Sequence, residues 1–186
     1  MKRRSTSFLQ YLSHEFNPDD DPEVEARMEE QFSEALPLIG LVVMYFNTLE
    51  KSLDSAICET LNDRTDSVGL IVLQGMQFGG KVELFRRLCD DLHLTVGRGM
   101  PPHYEKLVES LKRAAHVRNL VVHADWENMD AEGFTYVRLL MSPKTGIEQE
   151  YVQLTADAME QVIDELNAVR DLLSNYWMGR HEFLWH

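Results

Sequence analysis

A helix stepped at roughly 100° per residue from Leu107 places Leu111, Ala114, Ala115, Val121 and Val122 in one sector about 120° wide, with Arg118 pointing into its middle. Such a stripe is what a helix turns toward a core or a partner. A guanidinium set into it keeps its charge, so it needs a carboxylate, a phosphate or a wet cavity. His123, five residues later at the expected helix end, adds a group that exchanges a proton near neutral pH.

Spacing alone does not single this pair out, because about one or two arginines followed by four to six residues and a histidine are expected by chance. The chain has such matches at Arg87 to His93, Arg98 to His103, Arg118 to His123 and Arg180 to His186. Pro101-Pro102 interrupts the second, and the fourth runs to the C-terminal residue. The first sits beside Asp90 and Asp91, which repel a phosphate. Arg118 alone combines a helical context, an apolar face and a polar Asn119 beside it.

The rest of the chain reads as all-α with one β-hairpin between the last two long helices. The pattern predicts a short helix over 5–16, a break at Asn17-Pro18-Asp19-Asp20-Asp21-Pro22, and a helix from Pro22 to about Leu61, kinked near Pro37. On that helix Tyr45, Leu49, Leu53 and Ala56 share a face that Glu50 and Asp54 flank. Further helices are predicted over 66–76, 79–94 and 103–124. Phe134 to Met141 and Gly146 to Leu154 bracket a turn and read as the hairpin, and Thr155 opens a last helix to about Trp177. These elements divide the chain into an N-terminal segment with an acidic linker over 1–21, a helical domain over 22–178 and an aromatic tail over 179–186.

Arg118-Asn119-Leu120-Val121-Val122-His123, near the end of a late helix, resembles the Arg-Asn-x-x-x-His motif of the HEPN superfamily, the higher eukaryote and prokaryote nucleotide-binding domains. Tyr45 to Glu50 on an early helix, Phe78-Gly79-Gly80-Lys81-Val82 opening a middle one, and Leu111 through Trp126 follow the usual HEPN order across 38–126. The resemblance implies a helical bundle that dimerises, bringing Arg and His of two subunits to one cleft. It also implies a metal-independent RNA endonuclease of toxin or defence type that needs no cofactor, with an RNA substrate and an antitoxin or other protein partner. Asp125 occupies the position, two residues after the histidine, where some such toxins carry a modifiable tyrosine.

On this reading the ribose 2′-hydroxyl attacks the phosphate and a 2′,3′-cyclic phosphate is the product. His123 is the acid or base, Arg118 holds the phosphate with a bidentate fork, Asn119 orients backbone or sugar, and Glu50 sets the guanidinium geometry. The competing reading of the same residues is structural: Arg118 bridges helices through Glu50 or Asp54, and His123 caps a helix end. A non-catalytic HEPN-like dimer that binds a nucleotide or a protein is the other alternative.

Charge weighs against a nucleic-acid substrate, since the 186 residues carry a formal net charge of −13. Its distribution matters more than its sum. Lys112, Arg113, His116, Arg118 and His123 cluster, whereas Asp19, Asp20, Asp21, Glu23, Glu25, Glu29 and Glu30 hold much of the acid far along the chain. An acidic surface also suits a basic antitoxin. The apolar share of 44% and the lack of a disulfide or metal pattern around Cys58 and Cys89 predict a cytoplasmic protein with reduced core thiols. Leu38 to Phe46, the longest apolar run, is at nine residues too short to span a membrane.

Other motifs are weaker. Gly75 to Val82 matches a phosphate-binding loop except at Val82, which cannot ligate magnesium as Ser or Thr does, and it would require a strand over Leu70 to Leu73. The plain alternative is a glycine-rich helix entry with Lys81 solvated. Asp19-Asp20-Asp21 lacks the alternating ligands of a calcium loop. No histidine or cysteine spacing supports zinc, and no local motif supports a Ser or Cys nucleophile. Tyr176, Trp177, His181, Phe183, Trp185 and His186 are expected to dock on the bundle or on a second subunit.

Overall fold

A computed structural model describes residues 1–7, 22–61, 66–96, 101–143 and 146–185. In chain order it contains β1 (Arg3–Ser7), α1 (Pro22–Leu61), α2 (Ser67–Leu73), α3 (Phe78–Val96), α4 (Tyr104–His123), a short 3-10 turn (Trp126–Asn128), β2 (Phe134–Ser142), β3 (Gly146–Gln153) and α5 (Ala156–Trp185). The structure is mostly helical, as expected, with one small antiparallel sheet. The described residues form two compact units, one of Met1–Val43 with Asn119–Ile163, the other of Met44–Arg118 with Asp164–His186.

In the first unit the hairpin is part of a three-stranded sheet of order β1-β3-β2. The helix expected over 5–16 is overturned at its start, where Arg3–Ser7 pair antiparallel with Val152 through Glu148; residues 8–16 and the acidic linker lie outside the described residues. Arg3 and Arg138, on the outer strands, converge on the buried Glu150 of the middle strand at 3.1 and 2.6 Å. This shared carboxylate gives β1 a reason to pair that the sequence of residues 1–7 does not display. Arg4 points to the other face, over the rings of Phe134 and Tyr151 at 4.5 and 5.2 Å, and pairs with Asp130. A turn precedes β2, in which Asp130 Oδ1 accepts the backbone N–H groups of Glu132 and Phe134. Gly133 takes φ +79° there, and a side chain would meet Thr155 Cγ2 at 2.6 Å, so only glycine fits.

The second unit is a helical packing. Phe46, Leu49, Leu53, Ala56 and Ile57 of α1, Val82 and Phe85 of α3, Leu107, Leu111 and Ala114 of α4, and Leu166 and Leu173 of α5 are all buried. α2 is shorter than the expected 66–76 helix and is set by a close approach: a Cβ on Gly69 would lie 2.5 Å from Cys58 Sγ and 2.8 Å from Cys58 Cα. Both cysteines are reduced and buried, and burial pushes the Cys89 thiol up to about 11, which makes it a poor nucleophile at neutral pH.

Two expectations need correction. α1 is one continuous helix of 40 residues with Pro37 inside it. The nine-residue apolar run therefore understates it, because α1 holds an 18-residue window of mean hydropathy 1.4 and is long and apolar enough to cross a membrane by length and composition. Only 22% of that window is buried: Leu36, Leu41 and Met44 are exposed, while Val42, Phe46, Leu49 and Leu53 are buried. α5 does not end near Trp177 but continues to Trp185, so the expected aromatic tail is helical up to that residue.

Candidate functional site

α4 carries every residue of the motif on one uninterrupted helix, with His123 as its last residue. Its buried side is formed by Leu107, Leu111, Ala114, Val117, Leu120 and Val121. Arg118 lies on that side, is only partly exposed, and places its guanidinium carbon 5.5 Å from the centroid of the Phe46 ring. Phe46 packs in turn on Phe78, with ring centroids 4.7 Å apart. A cation–π contact thus helps to accommodate the arginine, and apolar periodicity cannot reveal it.

Lys112, His116, Asn119 and His123 are all exposed. Their spacings of four, three and four residues keep them within about 60° of one another on the helix, so they form one polar ridge. Arg118 and His123 do not share a side: five helical steps turn the second about 140° away from the first. One helix thus presents its arginine and its histidine in different directions.

Glu50, expected to orient Arg118, is held by another residue. Lys81 Nζ lies 2.8 Å from Glu50 Oε1 and 2.9 Å from Asp54 Oδ2, and the Lys81 side chain is only 9% exposed. Lys81 is thus not solvated, as its place in a glycine-rich helix entry suggested. Burial works to lower its pKa, but the hydrogen bonds that Lys81 donates to Glu50 and Asp54 outweigh this and raise it, so the ammonium form is retained. The signal that was available is geometric: Glu50 and Asp54 are one turn apart on α1, and two neighbouring carboxylates at the flank of a core face call for a cation. The phosphate-loop alternative loses its geometry here. Leu70 to Leu73 are helical, Gly79 and Gly80 sit inside the first turn of α3, and Val82 is fully buried.

Just past the helix end, Trp126 Nε1 donates to the Val121 carbonyl at 2.8 Å, satisfying one of the free carbonyls of the last turn. The Asp125 backbone N–H donates to Tyr136 O at 2.8 Å, tying the segment after α4 to β2. The sequence Asp125-Trp126 after the motif is therefore structural. Val117, Leu120 and Val121 are buried by the chain itself, leaving Val122 at 36% exposure.

His93, set aside because of its acidic neighbours, proves to be a core residue. Its Nε2 lies 3.0 Å from Tyr176 OH, and its ring stands edge-on to Tyr104 at 4.8 Å. Tyr104 OH donates to Asp90 Oδ1 at 2.9 Å, which engages the nearest carboxylate. Burial lowers the His93 pKa, with Asp90 opposing more weakly. The folded state therefore takes up a proton less readily than the unfolded chain, and stability rises with pH across the interval between the two pKa values. Acidification below about pH 6.5, the ordinary histidine value, is expected to lower the denaturation midpoint, and His93→Gln is expected to remove that part of the pH dependence. An identical pH profile in the variant would show that His93 does not contribute.

Among the described residues no group of three or more His, Cys, Asp or Glu side chains is placed to hold a metal ion. Compared with family models, with curated proteins and with solved structures, the chain matches none.

Proposed function

We propose that the chain is a metal-independent RNA endonuclease of HEPN type that acts as a homodimer. The observation that carries this reading is the division of labour on α4: an arginine set over Phe46 on one side, and an exposed Lys112–His116–Asn119–His123 ridge on another. The ridge displays donors of the kind that contact phosphate and ribose; the exposed Glu105 and Glu109 continue it toward the start of α4, so the phosphate-binding part is the His116–His123 end. The 140° rotation between Arg118 and His123 is a reason to bring in a second copy. A phosphate held by the Arg118 guanidinium would be served by His123 of that copy, with Asn119 on the sugar.

The chemistry then divides as follows. His123 of the second copy removes the 2′-hydroxyl proton, Arg118 offsets charge building on the phosphoryl oxygens, and the departing 5′-oxygen takes its proton from solvent water. Glu50 acts only at a distance, through the Lys81 pair. The test is incubation of single-stranded RNA with the protein in EDTA. Cleavage leaving a 2′,3′-cyclic phosphate is expected, and DNA of the same sequence should survive because it lacks the attacking hydroxyl. RNA binding without cleavage would favour the non-catalytic dimer module.

A further inference from the structure

A second feature lies within the Met44–Arg118 and Asp164–His186 unit and is independent of the α4 motif. Pro101, Pro102 and His103, which lead into α4, face Leu172, Tyr176 and Arg180 of α5 across an open cleft of about 420 Å³. That volume falls in the range of small-molecule sites, roughly 300–1,000 Å³. Two prolines and a leucine form apolar walls, and among the described lining residues Arg180 carries the one fixed charge and none bears a carboxylate.

The polar side chains of the cleft are fixed from behind, as in a preorganised site. Tyr176 is held by its hydroxyl against His93 Nε2 at 3.0 Å and packs on Tyr104 with ring centroids 5.5 Å apart. Arg180 is 15% exposed in its side chain and lies 3.2 Å over the Trp177 ring centroid. It donates to the Trp177 carbonyl at 3.2 Å and pairs with Glu59 at 3.3 Å, a carboxylate that Trp177 Nε1 also holds at 2.7 Å. His103 takes φ +70°, a conformation that non-glycine residues adopt rarely and often where a ligand is held.

We propose that this cleft binds a small aromatic monocarboxylate, its ring between the proline pair and α5 and its carboxylate on Arg180. A flat apolar body matches the walls, and Glu59, 54% exposed, is screened by water, so the guanidinium still attracts one further carboxylate on its cleft side. A dianion would leave a charge uncompensated beside apolar walls.

Benzoate is the probe, titrated into the full chain with tryptophan emission and melting temperature as readouts. Saturable binding is expected, weakened about tenfold or more by Arg180→Gln and by replacing benzoate with uncharged benzyl alcohol. Gly179 supplies a variant that spares the ion pair: it lines the cleft, and a Cβ built on it meets nothing within 4 Å. Gly179→Leu should fill the space and abolish binding while the protein melts no lower than the parent, which keeps the test decisive if Arg180→Gln does not fold. Absence of saturable binding, binding unchanged in Gly179→Leu, or phenyl phosphate binding more tightly than benzoate would overturn the proposal.

Discussion

Lys81→Ala is expected to lower the stability of the chain by about 3 kcal/mol, the low end of the cost of removing one partner from a buried ion pair. The low end applies because Glu50 and Asp54 remain about a quarter exposed, at 27% and 26%, and water can reach them once the ammonium is gone. Two carboxylates one turn apart would then repel each other at the flank of a core face. Asp54 Oδ1 is already buried without a hydrogen-bond partner, so the cluster has little tolerance for losing its cation. Urea denaturation checks this: the midpoint should fall with an unchanged slope. Neutralising all three groups together, as Lys81→Met with Glu50→Gln and Asp54→Asn, should recover most of the loss. A single-variant cost below about 1 kcal/mol would place the cluster among surface ion pairs.

The elements that the sequence displayed clearly are those governed by local periodicity. The long helix from Pro22, the α4 stripe and the Phe134–Gln153 hairpin all have a strong 3.6- or 2-residue pattern, and the observed bounds agree to within a few residues. The strand at Arg3–Ser7 was not legible because its pairing is non-local: it depends on Glu148 through Val152, and on a carboxylate that Arg138 shares. The end of α5 was misjudged because no proline or capping pattern stops it after Trp177, and its apolar pattern simply weakens.

The site was legible as a motif but not as a geometry. Helical stepping already placed Arg118 on the apolar side of α4, yet the partner that sequence proximity suggested, Glu50, belongs to Lys81. Phe46 is the residue that was missed, although it lies one turn before Glu50 on the same side of α1. Aromatic partners of an arginine leave no charge pattern to read, whereas carboxylates do. The same limit applies to the apolar stripe of α4, because apolar periodicity reports that a face is buried, not whether the chain or a second copy buries it.

The largest functional effect expected is the loss of RNA cleavage on replacing Arg118 or His123 by alanine, by about two to four orders of magnitude for a proton-transfer group. His123 is exposed at a helix end, so its removal should leave the melting temperature close to that of the parent. The two inactive variants, unfolded together and refolded as a mixture, provide the most direct measurement. If Arg118 of one copy works with His123 of the other, the mixed dimer retains one intact site, and random reassortment returns about a quarter of the parent activity. The account predicts that the parent cleaves single-stranded RNA in EDTA, that each variant alone is inactive, and that the mixture regains this fraction. A parent that leaves RNA intact in EDTA, or a mixture as inactive as its components, would contradict it.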